Sequence, residues 1–356
     1  MSRRLLFAAV VLLLPVVAGT SHAATTTTYS PCQQVILPTW SPDGTQIVYY
    51  GRRWPTPTGG GNPNSILQAY CTMDADGTNI QPLAHTVCNV NCQDPPSQIE
   101  WVKADEILWL VDGGPIYRTT PGSEPTLLTT INDTSFAINA AKTRIASGPN
   151  FPGCVTCSGP VRVTSLATGR RVGFVGGSKF DNMWPSLSPD GTRVVFERDP
   201  ATDTGQALGL WTAHANGTDV RQIARVGFQP LWSPVNNRIA YVRWAGSSVA
   251  LRVKWAAGGR GRTLVAKNVL TVFGWSPDGK YIAFESGTGT LGTLSVVDVV
   301  TGQVRHLLPM KYGPTAEWSP DSQELLANYN APKTKCWWTY RVPVNGAPAT
   351  KISSCS

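Results

Sequence analysis

Short runs in which every second residue is apolar alternate along this chain with polar segments rich in Gly, Pro, Asp and Asn. Two such runs, "TQIVYY" at residues 45–50 and "KYIAFE" at residues 280–285, each follow the letters WSPDG directly. A period of two predicts a β-strand with one face in a core. The pattern therefore predicts an all-β protein of many short strands separated by tight turns.

The WSPDG segment recurs in weaker forms, as in "LSPDG", "WSPVN" and "WSPDS", and two still weaker copies follow the same rhythm. The seven starts are Trp40, Trp101, Ile138, Leu187, Trp232, Trp275 and Trp318. The last three intervals are 43, 43 and 45 residues, which matches one four-stranded propeller blade. The spacing predicts a single propeller of seven blades, each with four antiparallel strands. Six blades are the alternative, if the copies at Trp101 and Ile138 share one blade.

The spelling of the repeat has a physical reason. Pro pre-sets φ at the second position of a tight turn, Asp accepts hydrogen bonds from nearby backbone N–H groups, and Gly takes the position with positive φ. The turn residues are Asp43, Gly44, Asp190, Gly191, Asp278, Gly279 and Asp321. These aspartates are therefore interpreted as turn residues, and the preceding Trp is expected to fill the wedge between neighbouring blades.

A second hairpin follows each start, again with a Gly at its tip. The tip glycines are Gly77, Gly122, Gly169, Gly217, Gly258 or Gly259, Gly302 and Gly346. Asn-Gly and similar pairs are typical of two-residue hairpin turns. Together the two series predict strands A, B, C and D in every blade.

These WSPDG starts and Asn/Asp-Gly hairpins resemble the WD40-like repeats of TolB-type β-propellers, over essentially the whole of residues 24–356. The resemblance implies an all-β propeller and a possible Tol-type role in envelope translocation. TolB also has an α/β domain before a propeller that is usually counted as six-bladed. Here the first strand begins close to the predicted cleavage site, which leaves no room for that domain and weakens the implied Tol role.

Residues 1–23 have the features of a secretory signal peptide. Arg3 and Arg4 precede a 14-residue apolar run, and small residues end at Ala23, where cleavage is expected. Fourteen apolar residues are fewer than the roughly 18 of a membrane-spanning helix. The chain is therefore predicted to be exported, as a secreted or periplasmic protein, and not to span the membrane after cleavage.

The formal net charge of +8 is modest for 356 residues and argues against a dedicated nucleic-acid binder. Neither a G-x-S-x-G nucleophile elbow nor a metal-binding spacing is present. His85, His214 and His306 lie in separate predicted blades. We therefore predict a protein without cofactor or metal and without intrinsic catalysis. A monomer is expected.

The eight cysteines are expected to form disulfides, because exported proteins meet an oxidising environment. Even numbers within blades favour bridges inside each blade. Blade 1 has Cys32, Cys71, Cys88 and Cys92, whose pairing stays open; blade 3 has Cys154 and Cys157; blade 7 has Cys336 and Cys355. Cys336 and Cys355 face each other across the C–D hairpin if no bulge intervenes. The rival is a ring-closing Cys32–Cys355 bridge with a second cross-link such as Cys71–Cys336.

The predicted function is a non-catalytic interaction module, since loops on a rigid scaffold usually carry function. Ring closure brings loops of blades 1, 6 and 7 to one rim, where they form a predicted basic patch. Its members are Arg52, Arg53, Trp54, Lys311, Tyr312, Lys333 and Lys335. This patch fits an acidic protein or an anionic envelope polymer. The alternative is a lyase or glycan hydrolase with its site in the central channel, where Glu100 and Glu317 are the main candidates.

Overall fold

The computed structural model describes residues 32–53, 67–83, 88–89, 96–111, 115–121, 123, 125–130, 136–148, 159–200, 209–288, 291–311, 315–331 and 336–353. Every regular element in these ranges is a β-strand, as the alternating pattern predicts. None of the ranges contains a helix that is long and apolar enough to cross a bilayer. The predicted signal peptide, residues 1–23, lies outside the described residues.

The strands form seven antiparallel sheets, each built from consecutive strands. Blade 1 contains β1 (Gln34–Trp40), β2 (Gln46–Arg53), β3 (Leu67–Asp74), β4 (Gln81–Pro82) and the short β5 (Cys88–Asn89), which also pairs with β3. Blade 2 contains β6 (Pro96–Lys103), β7 (Glu106–Val111), β8 (Pro115–Thr119) and β9 (Thr126–Thr130). Blade 3 contains β10 (Phe136–Ile138), β11 (Arg144–Ser147), β12 (Val161–Ser165) and β13 (Arg171–Val175).

The last four blades follow the same plan. Blade 4 contains β14 (Phe180–Leu187), β15 (Arg193–Pro200), β16 (Leu210–His214) and β17 (Arg221–Ala224). Blade 5 contains β18 (Phe228–Trp232), β19 (Arg238–Ala245), β20 (Ser248–Trp255) and β21 (Gly258–Val265). Blade 6 contains β22 (Val269–Trp275), β23 (Tyr281–Thr288), β24 (Leu291–Asp298) and β25 (Val304–Lys311). Blade 7 contains β26 (Thr315–Trp318), β27 (Glu324–Ala331), β28 (Cys336–Pro343) and β29 (Thr350–Ser353).

Seven apolar clusters hold the ring together, and each joins two successive blades. Leu326 of blade 7, for example, packs with Trp40 and Ile47 of blade 1. The weak repeats at Trp101 and Ile138 begin separate sheets. The molecule is therefore a seven-bladed propeller, and the six-bladed alternative is wrong.

The tryptophans that end the A strands occupy the wedges between blades, as predicted. Trp232 is 5% exposed and packs with Val195 of blade 4, and Trp318 packs with Ala283 of blade 6. The indole N–H of Trp275 donates to Leu231 O at 3.0 Å, and that of Trp318 donates to Gly274 O at 3.2 Å. Trp275 and Trp318 therefore bury apolar area and satisfy their indole N–H in the preceding blade, whereas the indole N–H of Trp232 donates to Asn236 O at 3.2 Å in its own blade.

The A–B turns also confirm their prediction. In four of them a Ser hydroxyl donates to the Asp carboxylate at 2.6 Å, and the backbone N–H two residues after the Asp donates to the same oxygen at 3.0 Å. The serine bond is the largest cause that lowers the pKa of Asp43, Asp190 and Asp321. Gly44, Gly191 and Gly279 have φ near 70°, a region that only Gly enters without cost.

Blades 7 and 1 close the ring by packing, since no strand of blade 1 is hydrogen-bonded into the sheet of blade 7 among the described residues. The amide of Asn328 donates to Val35 O at 3.0 Å across this junction. At the rim, a Cβ on Gly77 would meet Ile352 O at 2.4 Å, so the two blades touch closely there.

Candidate functional site in the central channel

The A strands of all seven blades surround a channel that contains a cavity of about 720 Å³. The cavity extends from the middle of the A strands to the A–B turns, because it is lined both by Glu100 and Glu317 and by the turn prolines Pro42, Pro277 and Pro320. Ligand pockets in proteins usually measure about 300–1,000 Å³. The channel therefore has the size of a ligand site.

Glu317 lies in the wall of this cavity, at the junction of blades 7 and 1. The buried hydroxyl of Thr39, on strand A of blade 1, donates to its Oε1 at 2.5 Å. Burial raises the pKa of Glu317 well above its ordinary value, and the neighbouring Glu100 raises it further. Thr39 and Lys142 act in the opposite direction. The fold thus places a partly buried carboxyl group beside a second carboxyl group.

Glu100 is held in place from blade 3. The side-chain amide of Gln98 donates to Glu100 Oε1 at 2.9 Å and to Phe136 O at 2.8 Å, while Phe136 N–H donates back to Gln98 Oε1 at 2.9 Å. The two reciprocal bonds to Phe136 fix the amide and so orient the carboxylate. Both glutamates are therefore positioned by neighbouring blades.

Three A strands bend at a β-bulge that precedes or includes a proline. Leu37, Trp184 and Gln229 have φ of 51°, 51° and 49°, and each stands immediately before a Pro. Strand register shifts at the same places. Left-handed φ is uncommon for residues other than Gly, and bulges redirect a strand. Leu37 and Pro38 line the cavity, so this bend shapes the channel wall.

A second group of acidic residues lies on blade 4 and was not anticipated from the sequence. Asp181 and Asp199 are direct partners across β14 and β15, and burial raises the pKa of both. Glu197 is 6% exposed. Burial, and after it the charge of Asp199, raises the pKa of Glu197 to about 8. A 3.3 Å hydrogen bond from Gln229 N–H acts in the opposite direction and lowers this pKa. The only sequence signal was the acidic pair around Arg198.

The predicted basic patch lies mostly outside the described residues. Four of its members fall between described segments: Trp54, Tyr312, Lys333 and Lys335. For the other three, only the backbone is described: Arg52, Arg53 and Lys311. β2 ends at Arg53, β25 ends at Lys311, and β27 and β28 flank residues 332–335. The antiparallel order of the strands therefore brings these segments to one rim, but the patch itself stays a prediction.

In the part of the chain that the structure describes, one disulfide is present, and it lies within blade 1. Cys32 is bonded to Cys71 with a Cα–Cα distance of 5.8 Å, which resolves part of the pairing that the sequence left open. The rival Cys32–Cys355 and Cys71–Cys336 cross-links are therefore wrong. Cys92, Cys154, Cys157 and Cys355 lie outside the described residues, and only the backbone of Cys88 and Cys336 is described.

The C–D hairpin of blade 7 contains a bulge. Arg341 pairs with Thr350 and Tyr340 with Lys351, as the hairpin arithmetic predicts, but Thr339 pairs with Ser353 because the register slips by one residue. The direct opposition of Cys336 and Cys355 was predicted on the condition that no bulge intervenes. That condition is not met.

The histidines are ordinary strand residues where they are described. The ring of His214 contacts Arg193 and Asp219, and His306 Nδ1 lies 2.9 Å from the hydroxyl of Ser295. His85 is outside the described residues. Within the described ranges, no three or more His, Cys, Asp or Glu side chains are placed to hold a metal ion.

Comparison with known proteins supports the propeller and its type. No family model matches the chain. A curated relative, the "Tol-Pal system protein TolB" of Chromobacterium violaceum, is 36% identical over 77 residues, which are 21% of this chain and 18% of that protein. TolB from Acinetobacter baumannii superposes with a TM-score of 0.53 at 16% identity, over 87% of this chain and 80% of that one. The chain is a β-propeller that is similar to TolB.

This TolB-like propeller spans about a fifth of the length of the curated relative that it matches. The fold also occurs in enzymes. An oligogalacturonate lyase in complex with manganese has a TM-score of 0.65 at 13% identity, over 88% of this chain and 90% of that one. At such low identity the likeness shows the fold alone, so the function has to be argued from the channel and the surface of this chain.

Proposed function

We propose that the protein is an exported binding module that accepts a ligand in its central channel. The observation that carries this proposal is the cavity of about 720 Å³ at which the A strands of seven blades converge. The Cys32–Cys71 disulfide supports export, since structural disulfides are typical of oxidising compartments.

The chemistry of the channel favours a ligand with an amine or a guanidinium group. Glu317 is kept from ionising by burial and by Glu100, and a cation placed between two carboxylates relieves both effects. Lys142 also lines the cavity and partly neutralises the pair. A ligand that carries two separated cationic groups can displace this lysine and contact both glutamates.

Two hydroxyl groups of the cavity wall, those of Ser41 and Ser186, serve the fold. Ser41 donates to Asp43, and the hydroxyl of Ser186 accepts from Trp232 N–H at 2.9 Å. These contacts hold the hydroxyls in structural roles, and this is why binding is proposed ahead of nucleophilic catalysis.

Calorimetric titration with agmatine and with a short arginine peptide tests the proposal. We expect binding by the parent protein and a loss of tenfold or more in the Glu317→Gln variant, since a hydrogen bond to a charged group contributes about 1.5–3 kcal/mol. Asp321→Asn is the matched control, because it removes a carboxylate of the same blade that belongs to a turn. Absence of binding by the parent at millimolar concentration, or equal binding by Glu317→Gln, refutes the proposal.

A channel enzyme that cleaves a glycan is the second candidate, and the observation in its favour is the same pair. A carboxyl group with a raised pKa beside another carboxylate is the arrangement of an acid and a base in glycan hydrolysis. Release of reducing ends from a panel of oligosaccharides measures such activity. Activity that disappears in Glu317→Gln would favour the enzyme over the binding module.

The predicted basic patch remains a separate proposal, as a surface that docks an acidic protein or an envelope polymer. Charge reversal of Arg52, Arg53 and Lys335 to Glu should weaken capture of a copurifying partner at low salt, since exposed charges act over about 8 Å at physiological ionic strength. Unchanged capture rejects this rim. Recovery of a Tol-Pal protein as that partner would instead support the Tol-type alternative.

A further inference from the structure

The charge of this protein is concentrated in one part of the ring. Residues 220–277 contain nine Arg and Lys and no Asp or Glu. These cations are Arg221, Arg225, Arg238, Arg243, Arg252, Lys254, Arg260, Arg262 and Lys267. The net charge of the whole chain is +8, so the other residues together have no excess of cations. The segment runs from the last strand of blade 4 through blade 5 to the first strand of blade 6.

Several of these cations lie on the two outer strands of blade 5, with Arg252 and Lys254 on the sheet face towards blade 4 and Arg262 on the face towards blade 6. Arg252 and Lys254 lie on β20, and Arg260 and Arg262 lie on β21, the edge strand of this sheet. Arg260 and Arg262 are exposed. We call this group the blade 5 cationic edge. Its members are Arg238, Arg252, Lys254, Trp255, Arg260 and Arg262.

Carbonyl and hydroxyl oxygens orient two of these cations. Arg252 donates to Gly261 O at 2.5 Å and to the Thr263 hydroxyl at 2.6 Å. Arg262 donates to Val300 O at 2.6 Å in blade 6. Among the residues that the structure describes, no carboxylate lies within 4.0 Å of any cation of the edge. Arg262 does interact at longer range with Asp298 of blade 6, whose pKa it helps to lower, while Arg260 is exposed at the edge strand.

Lys254 shows the cost of this arrangement. It is 6% exposed, its ammonium donates to the carbonyl of Ile223 in blade 4, and burial followed by the like charge of Arg252 lowers its pKa. A buried cation is normally paired with an anion. Here the partner is a neutral carbonyl, so Lys254 adds an unneutralised positive charge to the field of this blade.

An aromatic surface accompanies the charge. Trp255 is 52% exposed at the end of β20, and the guanidinium of Arg238 lies 5.0 Å from its ring centroid. An exposed indole packs against the C–H face of a sugar ring, while guanidinium groups bind carboxylate or phosphate groups in a bidentate manner. Charge without a flat apolar surface would fit an acidic protein equally well; the indole favours a sugar chain.

We propose that the blade 5 cationic edge binds an anionic polysaccharide, with Arg260 and Arg262 on its acidic groups and Trp255 against a sugar ring. This surface is separate from the channel, so the proposal goes beyond the proposed function. The competing explanation is that cations on an edge strand prevent sheet-to-sheet aggregation.

Titration of the purified protein with alginate, a polyuronate, tests the proposal at increasing salt. We expect binding that falls steeply with salt and weakens about tenfold in Arg260→Gln/Arg262→Gln. The matched control Arg170→Gln/Arg171→Gln removes two exposed cations from blade 3 and should stay within about twofold of the parent. Non-specific attraction, which depends only on net charge, would instead weaken both variants equally. Trp255→Ala should weaken alginate binding and leave binding of polyglutamate unchanged.

The single variant Arg260→Glu is the second test, in case the double variant loses stability through the contacts of Arg262 with blade 6. Because it replaces a positive charge by a negative one, it should weaken alginate binding relative to the parent. Equal binding by the blade 5 and blade 3 variants overturns the proposal. So does tighter binding of polyglutamate or duplex DNA than of alginate, or aggregation of the blade 5 variants with unchanged alginate affinity.

Discussion

The carboxylates of the A–B turns and those of the central channel have opposite surroundings. In the turns, Asp43, Asp190 and Asp321 each accept a serine hydroxyl and a backbone N–H from the same short segment, and their pKa is lowered. In the channel, Glu317 is partly buried beside Glu100, and its pKa is raised. Its one described hydroxyl donor, Thr39, comes from a different blade.

The difference separates scaffold from site. A carboxylate whose ionised form is satisfied by its own turn stabilises the fold and has little left to offer a ligand. A carboxylate whose ionised form is disfavoured by the fold can gain from a ligand that brings a compensating charge. In this propeller the repeated aspartates belong to the first kind and Glu317 to the second.

The largest expected effect concerns the scaffold next to the channel. Trp318→Ala removes a ring that is 7% exposed between blades 6 and 7, so the free energy of unfolding should fall by about 3–5 kcal/mol. Chemical denaturation measures this. Trp255→Ala, at an exposed ring, is the control and should change the free energy by about 0.5 kcal/mol or less. Similar losses in the two variants would mean that the A-strand tryptophans do not hold the wedges.

The next largest effect concerns the blade that contributes Thr39. Replacing Cys32 and Cys71 by Ser should lower the free energy of unfolding by about 2–4 kcal/mol, because the bridge ties residues that are 39 positions apart. Denaturation of the parent with and without reductant, compared with the double variant, measures this. A reductant effect that persists at the same size in the variant would assign the stabilisation to other cysteines.

A smaller effect is expected in the turns. Asp278→Asn weakens the bonds from Ser276 Oγ and Lys280 N–H and removes the ion pair with Lys280 at 3.0 Å. The free energy of unfolding at neutral pH should fall by about 1 kcal/mol. Agmatine affinity should remain that of the parent, since this carboxylate belongs to the scaffold. A loss of affinity as large as in Glu317→Gln would remove the distinction between the two kinds of carboxylate.

The repeat explains how much of this could be predicted. Strand alternation, the Ser-Pro-Asp-Gly turns and the hairpin glycines are local features, so the blades, their number and the role of the aspartates follow from short segments. Glu100 and Glu317 could be named as channel residues because A strands face the axis. Their environment could not be predicted, since Thr39 and Glu317 are 278 residues apart and meet only when the ring closes.

The other omissions have separate causes. The bulge at Thr339 shifts the register of the last hairpin by one residue. No residue type at that position predicts a bulge. The pairing of Asp181 with Asp199 depends on the register of β14 and β15, which also contains a bulge. The cations of blade 5 were visible in the sequence, but a net charge averaged over the chain conceals a local excess.

The central claim is that Glu317 and the turn aspartates have opposite roles, and the pH dependence of stability tests it most directly. The folded state retains the Glu317 proton above the ordinary pKa of 4.5, whereas the unfolded state loses it. This group therefore lowers the parent's free energy of unfolding as pH rises above about 4.5. Glu317→Gln cannot ionise, so it should become progressively more stable relative to the parent across that range.

Asp321 has a pKa below its ordinary 3.8 in the folded state, so it adds stability at neutral pH that is lost as pH falls through the folded pKa. Asp321→Asn should therefore be less stable than the parent at neutral pH, with a difference that shrinks in acid. Denaturation of the parent and both variants from pH 3 to pH 9 gives the two difference curves. Opposite signs above pH 5 are the predicted result, and a Glu317→Gln curve that falls with pH like that of an ordinary stabilising carboxylate would contradict the account.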